Sequence, residues 1–404
     1  MRAALIFFIS LITFAYPPLA SGSATNPSPI WGLNDVSILL PFPTMESQNV
    51  LLRADSQGSF GALIPASSYK TVPPLSFFSR EEDYATLRAI GFRIDPCFPG
   101  LVEATNCRPQ VRIVWQPFTS VPKGSPLNSI DAGIHTFYEL NSEEFASLLR
   151  ELQVLKEKYP HLADQLSPHA ALSVHPIAKL EGLEGPFVRN LHSIFLKYIG
   201  AKKLSRLTFM LVRGPSILWS FGGFDVPKLG SDEPEIESMM IPRIDPTTVA
   251  KLQTFFNRSN GGDDFSRSEI TPRPEGNDLF TLLMLDSTLI DPVKQRAEIV
   301  ESIDSIFRIE NPRFHTPESV DCVSCHVAGG ARNFAFERFP ELAAEASPAK
   351  FSFRSEWNLT NESPVKNNTR NLRAFGYFGR DAAISQRVIN ESAEVARVLT
   401  EAQR

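Results

Sequence analysis

The stretch SVDCVSCHVAGG, residues 319–330, places two of the chain's four cysteines and one of its seven histidines within five consecutive positions. Independent placement would give such a grouping only about once in a thousand chains of this composition. The segment also divides two kinds of sequence. Before it, Asp291 and Pro292 open a helical pattern by cap and first-position proline, and Ala297, Ile299, Val300, Ile303, Ile306 and Phe307 carry it to about Ile309. After it, Ala382 to Leu399 reads as a second helix. Ile384, Val388, Val395, Ala396 and Leu399 line one face, with Arg387, Glu391 and Glu394 away from it. Between them NLRAFGYFGRD (371–381) supplies Leu372, Phe375, Tyr377 and Phe378. Residues 286–404 are therefore expected to form a small, mainly helical unit.

Residues 25–285 read differently. VLLRADSQGSFGALIP reads as short strands joined by Gly, Ser and Asp turns, and REEDYATLRAIGF (80–92) has the spacing of a short helix. In QVRIVWQPF, Val111, Ile113 and Trp115 alternate with Arg112, Val114 and Gln116, the pattern of a half-buried strand. A helix begins at the Asn141 cap, with Glu144 at its third position and Phe145, Leu148, Leu149 and Leu152 on one face, and it stops near Pro160. Further expected elements are a helix from Pro186 to Tyr198, strands in LTFMLVR and ILWSFGGF, and a short helix in TTVAKLQTFFNR. The expected fold class is α+β, an N-terminal mixed domain (25–285) followed by the helical unit (286–404).

Composition narrows the partners and the compartment. Lys plus Arg number 40 against 45 Asp plus Glu, without a block of like charges, which argues against nucleic acid. The 32 prolines and 30 phenylalanines suit a loop-rich protein with an aromatic core. Residues 1–20 have the form of a secretory signal: Arg2, an apolar run from Ala3 to Tyr16, then small residues. The run is shorter than the roughly 20 residues that span a bilayer, so no membrane span is expected after cleavage, and the location is periplasmic or secreted. In that compartment Cys97 and Cys107 are expected to form a disulfide, its loop-closure contribution about 2.7 kcal/mol in the chain-entropy picture.

Cys322, Cys325 and His326 have the C-x-x-C-H spacing of covalent haem attachment. Two thiols three positions apart can add to the two vinyl groups on one edge of a porphyrin, and the adjacent imidazole then lies under the iron. On these residues the segment resembles the haem-binding stretch of c-type cytochromes. The resemblance implies a cytochrome c-like C-terminal domain with one covalent haem c, thioether links on Cys322 and Cys325, and His326 as proximal ligand. It covers the motif and at most the residues after it. Such cytochromes usually supply a distal methionine downstream, yet neither methionine nor histidine follows His326. The other donors are upstream: Met45, Met210, Met239, Met240 and Met284, and His135, His161, His169, His175, His192 and His315. His315 is the candidate distal ligand nearest in sequence, since an eleven-residue extended chain reaches about 36 Å. Arg332, Arg370 and Arg373 are candidates to pair with propionates.

The functional expectation is an exported electron-transfer protein serving a redox partner protein or a small-molecule donor or acceptor. Two alternatives stay open: a peroxidase-like haem oxidoreductase with an open distal site, and a secreted disulfide-stabilised binding protein without cofactor. A zinc site recruiting His315 is disfavoured by the adjacency of Cys325 and His326. Five N-x-S/T sequons, at Asn257, Asn358, Asn361, Asn367 and Asn390, compete with the periplasmic reading, because glycans are added in the endoplasmic reticulum.

Overall fold

A computed structural model describes residues 31–403 except 77–78, 98–107, 121–124, 168, 214–217, 227–235, 246–251, 259–264, 287–288 and 347. The signal segment 1–20 and Cys107 lie outside the described residues. Cys97 is disulfide-bonded.

Eight strands cross one antiparallel sheet in chain order: β1 (Ser37–Leu39), β2 (Leu87–Asp95), β3 (Gln110–Thr119), β4 (Ala132–Glu139), β5 (Leu204–Arg213), β6 (Leu218–Asp225), β7 (Gln253–Asn257) and β8 (Ser268–Thr271). Short strands Asn128–Ser129 and Glu237–Ser238 pair onto β3 and β6. The chain is thus a mixed α and β protein built on a large antiparallel sheet. Its neighbours in the sheet are neighbours in sequence, as hairpin-linked strands usually are.

Helices α1 (Ser142–Glu157) and α2 (Pro186–Leu196) cover one face of the sheet. The start of α1 is the expected capping box, Asn141 accepting from the Glu144 amide at 2.8 Å while the Glu144 carboxylate accepts from the Asn141 amide at 2.9 Å. Phe145, Leu148, Leu152 and Leu155 are its buried positions. On this side Phe92 of β2 stacks on Phe195 of α2, ring centroids 4.6 Å apart. The opposite face receives α3 (Arg296–Glu310), α4 (Cys322–Arg338), the hairpin β9 (Phe375–Phe378) with β10 (Asp381–Ile384), and the terminal helix α5 (Gln386–Ala402). Gly91 of β2 faces β9, where an added Cβ would stand 2.8 Å from Phe375 Cε1. With both faces covered, all nine residues of β2 are buried.

Three sequence expectations differ from this fold. The segment 80–92 is helical only from Arg80 to Thr86, after its Ser79 cap, and then becomes β2, because a strand buried on both faces shows no polar alternation. Gln253–Asn257 is strand β7, with Gln253, Phe255 and Asn257 buried. The hydrophobic core does not part at residue 286. One cluster joins Trp31–Val226 to residues 353–399, and the other joins Met210, Trp219 and Phe221 to α3, α4 and Leu372.

The reason for that return lies in α5. Arg387, Glu391 and Glu394, expected to face outward, are buried. Glu391 accepts from Arg93 of β2 at 2.9 Å and from Arg112 of β3 at 3.1 Å, and Arg112 also pairs with Asp95. Burial alone would raise the Glu391 carboxyl, but the guanidiniums of Arg93, Arg112 and Arg387 outweigh it and hold the group well below the usual carboxylate range.

Two expectations about stability follow. Glu391→Gln would leave buried guanidiniums short of counter-charge and cost about 3–5 kcal/mol at neutral pH. Because the folded carboxyl is depressed, its contribution is complete above about pH 4.3, the unfolded value, and is lost as pH falls below that. Urea unfolding from pH 7 down to pH 3 would therefore show the variant's deficit shrinking with acidification. In α4, an added Cβ at Gly330 would stand 2.5 Å from Phe265 Cζ, and that ring is fixed between Phe255 and Phe334. At Gly329 the nearest atom is 3.5 Å away. Gly330→Ala should thus destabilise, since overpacking of about 1–3 kcal/mol exceeds the gain in helix propensity, whereas Gly329→Ala should stabilise by up to about 1 kcal/mol. Thermal unfolding of the pair reads the opposite signs.

Candidate functional site

The motif forms the first turns of α4. Asp321 is the N-cap, its Oδ1 accepting from the Ser324 amide at 3.0 Å. Gln253 of β7 donates to the same oxygen at 2.7 Å and accepts from the Val323 amide at 2.9 Å, so one side chain ties the helix start to the sheet. At 3.6 residues per turn, positions 322, 325 and 326 fall within an arc of about 100° on one helix face. All three side chains line one cavity of about 130 Å³. The His326 Nδ1–H donates to the Leu372 carbonyl at 2.7 Å, which fixes the tautomer and leaves Nε2 as a lone-pair donor. The Phe221 ring lies 5.0 Å from the imidazole, centroid to centroid.

The sheet supplies the facing wall through cross-strand register. Arg93 stands opposite Arg112, Arg112 opposite Phe137, and Phe137 opposite Arg206. Two residues along, His135 of β4 is opposite Thr208 of β5, which is opposite Gly223 of β6. Two further, Gly133 is opposite Met210, and Met210 opposite Phe221. Residues two apart on a strand share a face, so the row of guanidiniums, the histidine and the methionine all belong to the cavity side. Met239, Val320, Arg387, Val388 and Glu391 contribute to the remaining wall.

Burial dominates the electrostatics. It pushes His326 down to about 4 against the opposing Leu372 bond, with Arg373 and Arg387 lowering it further. Burial followed by the His326 ring, Arg93, Arg112 and Arg373 pushes His135 down to about 3. Both rings are neutral at physiological pH, the state in which imidazole donates to a metal. Burial, with the Asp321 and Cys325 charges added, pushes the Cys322 thiol up to about 12, and burial also raises Cys325. These are free thiols disfavoured as thiolates. Such a site suits uncharged sulfur, as in a thioether, better than a reactive thiolate.

His135 is half-buried and makes no hydrogen bond among the described residues. It lies 191 positions from His326, and no local pattern singles it out among the other histidines.

The remaining expected residues are placed elsewhere. His315 has both ring nitrogens occupied, Nε2 with Asp278 Oδ2 at 2.7 Å and Nδ1 with the Ser319 carbonyl at 3.2 Å, and it does not line the cavity. Its nearness in sequence does not bring it to the site. Arg332 pairs with Glu310, and Arg373 with Asp131 at 3.3 Å. The arginines that do reach the cavity are Arg93, Arg112, Arg206 and Arg387. Met45 and Met240 are exposed, Met284 is buried in the second cluster, and His175 and His192 pack against Phe187 and Phe92. Asn390 is buried, its amide donating to the Glu310 carbonyl at 2.9 Å, so that sequon cannot carry a glycan in the folded protein. Among the described residues no helix is long and apolar enough to cross a membrane, and no cluster of three or more His, Cys, Asp or Glu is placed to hold a metal ion.

A haem fits the donor chemistry of this site: two sulfurs and a tautomer-fixed imidazole on one helix face, all turned to one space. The space itself is smaller than the roughly 300–1,000 Å³ of ordinary ligand pockets, and long side chains, Arg206, Met210, Met239 and Arg387, form part of its wall. No family model matches the chain, and no curated protein or solved structure does either.

Proposed function

We propose that the chain is an exported c-type haem protein that transfers electrons, with one haem held by thioether links to Cys322 and Cys325 and His326 as proximal ligand. One observation carries this reading. The three members of the C-x-x-C-H motif line a single cavity while Nδ1 of His326 is held by the Leu372 carbonyl, leaving Nε2 for a metal. A carbonyl on the far nitrogen is the usual outer partner of a ligating imidazole, fixing its orientation and raising its basicity.

When bound, haem supplies reversible one-electron chemistry. The chain's own residues do the rest. Asp321 and Gln253 fix the helix start, so the sulfurs and imidazole keep their mutual spacing. Phe221 packs beside the imidazole, and Val320 and Val388 add apolar surface to the cavity. Arg93 and Arg112, balanced by Glu391, place a fixed field beside the site rather than mobile ions. The partner is a redox protein or a small-molecule donor or acceptor, and export places it in a periplasm, where covalent attachment is carried out.

The modest volume favours a second reading, in which the cysteines stay unmodified and the arginine-walled space takes a small ligand. Intact-mass analysis of protein exported into a periplasm that contains the haem-attachment machinery separates the two. The expected result is one haem's mass on the unsubstituted chain, retained through denaturation. It should be lost when Cys322 and Cys325 are both replaced by alanine. Unmodified mass with the two sulfurs as thiols or as a disulfide would exclude the haem reading.

A further inference from the structure

We propose, resting on the covalent-haem reading above, that His135 of strand β4 is the second axial ligand of the iron. The missing downstream methionine would then be replaced not by a nearby residue but by one from the middle of the sheet.

Three observations point to this side chain. His135 lines the same cavity as Cys322, Cys325 and His326, and its imidazole has no hydrogen-bond partner among the described residues. Every other member of that wall with strong polar character is already engaged: Arg93 and Arg112 with Glu391, Arg206 with Asp225 and Glu318, Arg387 with the Ile309 and His315 carbonyls. Second, the register sets His135 among small residues. Gly133 precedes it by two on the same strand face, and Gly223 lies two strands away in its own row. Third, His135 of the sheet and His326 of α4 line that one cavity from its two facing walls.

The thioether rivals, Met210 and Met239, line the same cavity but make apolar packing contacts there. Met210 packs in the second hydrophobic cluster with Trp219 and Phe221. Met239 lies over Gly223, its Cε 3.2 Å from where a Cβ there would stand.

The consequence concerns what the protein does. Two imidazoles on one iron leave no open coordination position, so the site would pass electrons and would not bind peroxide or carbon monoxide. It would also give residues 25–285 a role, since one ligand would come from the sheet and the other from the helical layer.

The test uses the full exported chain with its covalent haem. In the unsubstituted oxidised protein, near-infrared magnetic circular dichroism and electron paramagnetic resonance should show a low-spin iron with two imidazoles. The reduced protein should not take up carbon monoxide on mixing. His135→Gly should keep the covalent haem mass, lose the low-spin spectrum, bind carbon monoxide, and recover the low-spin spectrum on addition of free imidazole. A His–Met or high-spin signature in the unsubstituted protein would overturn the assignment without any variant. So would an unchanged spectrum in His135→Gly. Absence of haem mass on the unsubstituted chain would instead overturn the covalent-haem reading, and this assignment with it.

Discussion

Glu391 holds the two layers of the molecule in register. It is a single carboxylate on the last helix, yet it meets Arg93 and Arg112 from strands nearly 300 residues earlier in the chain. Bringing three charges into an apolar interior is unfavourable unless each finds its counter-charge, so the pairing tolerates little sliding of α5 over the sheet. The neighbours of Glu391 extend the constraint to the other helices. Arg387 donates to the Ile309 and His315 carbonyls at the end of α3 and beyond, Asn390 donates to the Glu310 carbonyl, and Glu394 accepts from Arg313 at 2.9 Å. The helical layer that carries the motif is thus hung from α5, and α5 from the sheet. The cavity is the space those links enclose.

This arrangement explains how apolar and charged groups share one wall. The guanidinium row occupies one level of the strands, His135 the next, and Gly133, Met210 and Phe221 the level beyond. Four residues of strand separate Arg206 from Met210, about 13 Å at the strand rise. Over that distance the wall passes from compensated charge to aromatic and thioether surface. His326, tied to the Leu372 carbonyl and beside Phe221, belongs to the apolar end.

What could be read in advance depended on how local its cause was. The α1 capping box, the Asn141–Glu144 pair, is complete within four residues, and both partners are visible in sequence. The spacing of Cys322, Cys325 and His326 likewise fixes their common helix face without reference to the remaining chain. His135 was only one name among several upstream donors, because its importance comes from strand register and from a helix 191 positions away. The polar face of α5 was misleading for the same reason. Arg387, Glu391 and Glu394 look like a solvated stripe until the arginines of β2 and β3 and Arg313 are placed opposite. Leu87–Phe92 reads as the end of a helix because covering both faces of a strand removes the alternation that identifies one.

The division between local and distant causes also bears on how a haem would come to occupy so small a space. The cysteines of the folded chain are half-buried, with thiols disfavoured as thiolates, and walled by side chains that are themselves pinned by ion pairs. A macrocycle entering from solvent would have to displace part of that wall, and an enzyme attaching it would need access to both sulfurs. The C-x-x-C-H spacing is set within 322–326 itself, and Gln253 of β7 and the Leu372 carbonyl then fix the helix start and the imidazole, whereas the facing wall exists only once β4 and β5 are paired and Glu391 has joined α5 to β2 and β3. On the covalent-haem reading, attachment therefore precedes closure. The sheet layer would then fold against a group already tethered to the chain, and the final volume would be set by packing around that group rather than by any path of entry.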